Sequence, residues 1–512
     1  MEYSLKQENC TICENLLRSS SEQPVDLELT LPDHCPDIER ILKCRLRPCV
    51  ISKSITGDRL SVDGNTIISL YYLDSKKKTI RCCEHSRPFS VSFRLSGDQK
   101  DSVASVRLRT EYLNCRAVGP RRLDIHGAFS VCARVFRGGA LEYCSDIQGE
   151  DIQQQKHTER LSVLRGFGQQ QFTVSEVFDL GQDREMPETI LRSELSVIPG
   201  DCRAVDDKLM IRGDAVLKLL YVTDIESGSL ETMTFDFPVS QVVDVMGISE
   251  STVNDISVDV MSYDVSLRSE YEERGGLISL EAKLSALAFA YEDGEAELID
   301  DAYSTDYELE TSSDCLTLTR MLSLPEQKTS VSAQLSMDGA GVSRISDVWC
   351  DSISFAFSSG SGELAVRGKL VFCVLGEDRE GVPFCREKSA DLEFGITPPD
   401  SSGSFGAEVS VIPQLISYVI SSEDSVELKA VLRLRGCLCD TRKCRCIVSA
   451  EAPGDRPRIK DAEAALTLYY ADEGESLWDI ARMYCTSPEA IRLENDLSGE
   501  DNSGRTMLVI PM

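Results

Sequence analysis

Hydrophobic and polar positions alternate along most of this chain, and the alternation recurs in a fixed order. The segments 59–74 ("RLSVDGNTIISLYYLD"), 208–224 ("KLMIRGDAVLKLLYVTD") and 363–378 ("ELAVRGKLVFCVLGED") share one pattern. Each starts with alternating apolar residues, passes a glycine (Gly64, Gly213, Gly368), and ends in an apolar run and an acidic turn. A second set follows at 122–131, 277–286 and 426–434, where Gly127, Ala282 and Ala430 hold the small-residue position. Period-two alternation rich in Val, Ile, Leu and Phe predicts half-buried strands. A small residue in mid-strand lets a neighbouring backbone or bulky side chain approach closely. The two sets keep step with each other, which predicts three β-rich units, each with two related sheet halves packed face to face.

The expected organisation is a first unit over 1–150 with an N-terminal helix, a second over 161–300, and a degenerate third over 316–450. Polar runs at 151–160 and 300–315 are read as the ends of units one and two, and 451–465 as a Pro-rich, charged tether. "PDIERILK" (36–43) reads as a short helix, with a counterpart at 187–195. The last 47 residues, 466–512, change period. "LTLYY" and "MLVIP" are rich in strand formers. Between them Leu477, Ile480, Ala481 and Tyr484 make one apolar helix face, with Ser476 as N-cap accepting from the Asp479 amide. Ser487, Pro488, Ile491 and Asn495 mark a second helix. The prediction is therefore mainly β, closed by a small α+β module of order strand, helix, helix, strand.

Composition narrows the function. A net charge of −31 argues against nucleic acid, whose phosphates this surface would repel, and against an anionic membrane. No apolar run reaches the roughly 18 residues of a membrane span. The N-terminus carries acids and no hydrophobic signal core, so the expected location is the cytoplasm. The 20 cysteines are scattered through apolar strands of a long chain, as free thiols in a reducing compartment would be. Cys10 and Cys13 fall on the expected N-terminal helix. Cys437, Cys439, Cys444 and Cys446 read as a hairpin with all four thiols on one face. A zinc site held by these four cysteines competes with packed thiols, which the spacing favours because zinc knuckles use C-x2–4-C.

His34, His85, His126 and His157 stand singly, with no second ligand nearby in sequence. No phosphate loop and no G-x-S-x-G elbow occurs. No enzyme and no cofactor is expected.

Residues 466–512 resemble the LysM family through Tyr469, Gly474, Ser476, Leu477, Ile480, Ala481, Tyr484, Asn495, Leu497, Leu508, Ile510 and Pro511. The resemblance implies a groove between the loop at 474–476 and the loop near 495–497, with Gly474, Glu475, Ser476, Trp478, Asn495 and Asp496 as contact residues. Trp478, off the core stripe, is the candidate anchor; packing against the tether is its alternative. The repeats resemble the SPOCS domain of spore-coat morphogenetic proteins, through "LPDHCPDIERILKC" and "VDGNTIISLYYLD" in unit one and "MPETILRSELSV" and "IRGDAVLKLLYVTD" in unit two.

Together the resemblances imply a coat scaffold in the mother-cell cytoplasm, at the forespore surface. Its LysM-like module would bind a SpoIVA-like ATPase of the coat basement layer, and the repeats would bind other coat proteins. The alternative is a peptidoglycan or N-acetylglucosamine binder.

Overall fold

The computed structural model describes residues 2–511 except 98, 182–184, 269–276, 325–326, 360–362, 398–404, 459–465, 473 and 498–505. The first six strands are β1 Ser4–Thr30, β2 Ile38–Thr56, β3 Arg59–Asp74, β4 Ile80–Arg94, β5 Val103–Gly119 and β6 Arg122–Gln148. They form two antiparallel sheets, β2-β3-β4 and β1-β6-β5, which share one core. The next six are β7 Ile152–Asp179, β8 Thr189–Val205, β9 Lys208–Asp224, β10 Ser229–Asp244, β11 Val253–Arg268 and β12 Leu277–Ser304. Their sheets are β8-β9-β10 and β7-β12-β11. Then come β13 Glu310–Ser323, β14 Lys328–Ser336, β15 Arg344–Ser359, β16 Leu364–Glu377, β17 Pro383–Ile396, β18 Phe405–Ser422 and β19 Ser425–Glu451. β15-β16-β17 is one sheet. In the other, β13 and β14 pair with successive halves of β19 on one side and β18 pairs with it on the other.

Every segment of the two repeated sets is a central strand: β3, β9 and β16 in one kind of sheet, β6, β12 and β19 in the other. The burial of β3 shows why the pattern changes along its length. Leu60 and Val62 face the sandwich in alternation, whereas Ile68 to Leu73 are buried on both faces. Their second face joins a cluster in which Tyr71, Leu220 and Leu375 meet, each seven residues past Gly64, Gly213 and Gly368. A Cβ on Gly64 would lie 2.2 Å from the Cys49 carbonyl oxygen, and one on Gly368 would lie 2.1 Å from that of Ser354. The neighbouring strand runs too close for any side chain.

Five strands reach 27 or 28 residues. The distal ends of β6, β12 and β19 leave their own sandwiches and pack together. Cys144, Ile299 and Ile447 meet there, each seventeen residues past Gly127, Ala282 and Ala430.

Three expectations of helix fail. Residues 4–30, 38–56 and 189–205 are strands, so Cys10 and Cys13 lie on β1. Their partners decide the matter: β2 and β8 close the sides of β3 and β9, where unpaired backbone would otherwise be left. The polar run at 151–160 is strand as well, from Ile152 onward, pairing with the end of β12. The described part of the 451–465 stretch is held rather than free. Arg458 donates its amide to the Asp306 carbonyl at 2.8 Å, and Pro457 bridges to Tyr307. The rest of that stretch lies outside the described residues.

The chain ends in β20 Leu466–Ala471, α1 Leu477–Met483, α2 Pro488–Glu494 and β21 Thr506–Pro511, with β20 and β21 antiparallel. Among the described residues no helix is long and apolar enough to cross a membrane.

Candidate functional site

The end module builds its core from Ala471, Leu477, Ile480, Ala481, Ile491, Leu508 and Ile510, and Tyr303 of β12 enters that core from outside. Ser476 caps α1, but its oxygen accepts from the Trp478 amide at 3.2 Å rather than from Asp479. Ser487 caps α2 through the Ala490 amide at 3.0 Å, with Pro488 in the first turn.

Six residues were expected to line a groove, and the structure gives most of them internal work. Glu475 accepts from the Tyr469 hydroxyl at 2.7 Å and from the Asp472 amide at 3.1 Å. That bond to a carboxylate pushes the Tyr469 hydroxyl up to about 12. Asn495 locks α2 to β21: its amide donates to the carbonyls of Ile491 and Val509, and its oxygen accepts from the Val509 amide, each at 2.7 Å. Trp478 packs edge-on against Tyr303, ring centroids 4.8 Å apart, and donates Nε1–H to Asp301 at 3.0 Å. Arg482 binds the same Asp301 oxygen at 2.6 Å, and the Tyr303 hydroxyl donates to the Thr486 carbonyl at 2.7 Å. Trp478, half-buried, thus seats the module on the end of β12; the tether residues 459–465 lie outside the described residues. Gly474, at φ +78°, and Asp496, at φ +50°, are the exposed members of the set.

The outer face of the two-stranded sheet is apolar. Tyr470 lies opposite Met507, and Leu468 opposite Val509. Exposures are 76% for Tyr470, 51% for Leu468 and 49% for Met507. Alternation could have shown this in "LTLYYA", where Thr467, Tyr469 and Ala471 form the inward set.

The four-cysteine hairpin does not exist. Cys437, Cys439, Cys444 and Cys446 lie on one continuous strand, β19. At about 3.3 Å per residue the outer pair is some 30 Å apart, too far to share an ion. All four are free thiols, buried or half-buried. His157, expected to stand alone, has Glu159 and Cys444 beside it.

A cavity of about 500 Å³ lies where the three pairs of sheets meet, lined by Arg18, Arg107, Arg109, Arg134 and Arg435 and by Asp255, Asp259 and Glu408. Arg134 pairs with Glu408 across it. Burial and the Glu408 charge push the Asp255 carboxyl up to about 6.

The fold defines a class: an all-antiparallel β protein of paired sheets carrying a small mixed end module. Two stretches of it match a known family model, described as the SPOCS domain of SipL, at residues 37–118 and 187–268. The chain is SipL-like and carries SPOCS domains in these two places. Each match runs over one three-stranded sheet and the strand after it, β2 to β5 and β8 to β11. No curated protein and no solved structure gives a match.

Proposed function

We propose that the protein is a non-enzymatic scaffold of spore-coat assembly, and that its end module recognises a protein. The SPOCS matches support the coarser part, a sporulation-related coat protein. The third pair of sheets repeats the strand order of the matched stretches, so we read it as a third, diverged SPOCS unit. The end module is read as LysM-like, from its strand-helix-helix-strand order and the residues quoted above.

One observation carries the choice of partner. The polar atoms of Glu475, Ser476, Asn495 and Trp478 are bonded within the chain, while Leu468, Tyr470 and Met507 lie bare on the outer sheet face. A bare apolar face that carries an exposed tyrosine suits a protein partner. The resemblance to coat-anchoring proteins makes that protein a SpoIVA-like ATPase of the coat basement, reached from the mother-cell side of the forespore. A second surface serves other coat proteins: β18 exposes Leu415 at 59% and Val419 at 61%, and among the described residues it pairs only with β19, so a strand can add at its other edge.

The test is a pull-down from sporulating cells with the full chain as bait, run beside sedimentation with insoluble peptidoglycan. Retention of the basement ATPase with no wall binding is expected. Wall binding with no coat protein retained would favour the peptidoglycan-binding alternative.

A further inference from the structure

Where β7 of the second sheet pair meets β19 of the third, three unlike donor groups converge. His157 and Glu159 are two residues apart on β7, so both project from one face. Cys444 reaches them from β19. One ligand atom from each lies within 4.8 Å of the other two.

The contacts around them engage other atoms of the same groups. His157 Nδ1 is 2.9 Å from Asp300 Oδ2, off the line a good hydrogen bond needs, and Nε2 faces Glu159 Oε1 at 4.0 Å. Arg442 occupies the other Glu159 oxygen at 3.3 Å and also binds Asp440. Cys444 is a free thiol, 7% exposed. A small rotation brings the Asp300 carboxylate into line with Nδ1, where a carboxylate fixes the tautomer of a metal-ligating histidine and raises its basicity.

We infer that His157 Nε2, Glu159 Oε1 and the Cys444 thiolate form a zinc-class metal site that ties the second sheet pair to the third. Imidazole, thiolate and carboxylate are all zinc donors, whereas calcium and magnesium take oxygen alone. Zinc–donor bonds of about 2.0–2.3 Å put tetrahedral ligands roughly 3.3–3.8 Å apart, so the three side chains close in by about 1 Å through rotation. The fourth position is left to water, because the side chains of His157 and Glu159 keep 28% and 21% exposure. Binding releases the thiol proton to solvent. The dication then balances one thiolate and one carboxylate, and Arg442 stays on the outer oxygen.

The inference does not depend on the coat-scaffold reading. Its test uses the full chain, stripped of metal and reduced, and titrated with Co²⁺. One equivalent should bind and produce the near-ultraviolet thiolate-to-cobalt charge-transfer band. Cys444→Ser should abolish the band and Cys202→Ser should keep it. Asp300→Asn should weaken binding by roughly 10- to 100-fold. Zinc should raise the melting temperature of the parent and leave that of Cys444→Ser unmoved. Should Cys444→Ser fail to fold, His157→Gln, a partly exposed change, takes its place with the same expected loss. Absence of stoichiometric binding in the parent, or a band that survives both Cys444→Ser and His157→Gln, would overturn the site.

Discussion

Tyr303 decides where the end module sits, because its ring fills that module's core and its hydroxyl holds the loop after α1. The chain has two tryptophans, and Trp349 is buried elsewhere, so Trp478 can report on the seat. With Trp349→Phe as background, Tyr303→Ala should shift tryptophan emission to the red. Unchanged emission would mean that the seat does not hold Trp478. Gly64→Ala should cost about 1–3 kcal/mol in chemical denaturation, since the added carbon meets backbone and cannot be accommodated by a rotamer. Asp255 gives a pH test. Its folded pKa is raised to about 6, so the fold favours the protonated acid. Its contribution to stability is fully present below the unfolded carboxylate value and is lost as pH rises through about 6. Asp255→Asn should therefore be more stable than the parent at about pH 8, by about 1–3 kcal/mol given the water-accessible cavity, and should show no such gain near pH 4.

Among elements, the six central strands were legible because a strand buried on one face, then on both, writes alternation followed by an apolar run. Edge strands were not. β1 and β7 bury few positions along their length, so "ENCTICENLL" and "DIQQQKHTER" carry no period-two signal. "PDIERILK" scans as a helix because Ile38, Ile41 and Leu42 fall at helical spacing; two of the three register shifts in β2 fall here, and they let Ile38 and Ile41 face the sandwich core while Leu42 packs in the second interior. Such bulges are set by the partner strand and leave no mark in the local sequence. The cysteine hairpin failed for a related reason. "DTRK" looks like a turn, yet β13 pairs straight through it, from Asp440 to Lys443. In the end module, helix starts and core were readable from capping residues and spacing. The internal partners of Glu475 and Asn495 were not, since single side-chain bonds within the module leave no periodic signal, and the seat for Trp478 was not, since Asp301 and Tyr303 lie far away in sequence. Val419→Lys on β18 should lower any self-association measured by analytical ultracentrifugation without changing the melting temperature, because that side chain is 61% exposed.

At the scale of the whole molecule, the three pairs of sheets share two interiors. One collects Tyr71, Leu220 and Leu375, the other Cys144, Ile299 and Ile447. Charges reinforce the first. Arg192 and Asp347, each with a side chain 1% exposed, pair at 2.6 Å between β8 and β15, with the Arg192 guanidinium 4.6 Å over the Trp349 ring. Lys43 of β2 reaches Asp351 of β15 at 2.6 Å. Asp347→Ala would leave Arg192 with the half-exposed Glu194 as its remaining carboxylate and take a partner from Lys218, and should cost about 3 kcal/mol, read from the urea midpoint. The shared interiors make the body a rigid platform, and the end module presents its apolar face beyond it.

That face is the centre of the account. The most direct measurement is a binding titration of the full chain against the purified coat-basement ATPase, for the parent and for Tyr470→Asp with Met507→Asp. Both residues are exposed, so the double variant should keep the parent's melting temperature. The parent should bind, and the variant should lose at least about tenfold in affinity, equal to about 1.4 kcal/mol. Equal binding by the two proteins, or peptidoglycan binding by the parent with none to the ATPase, would contradict the protein-binding role of the face.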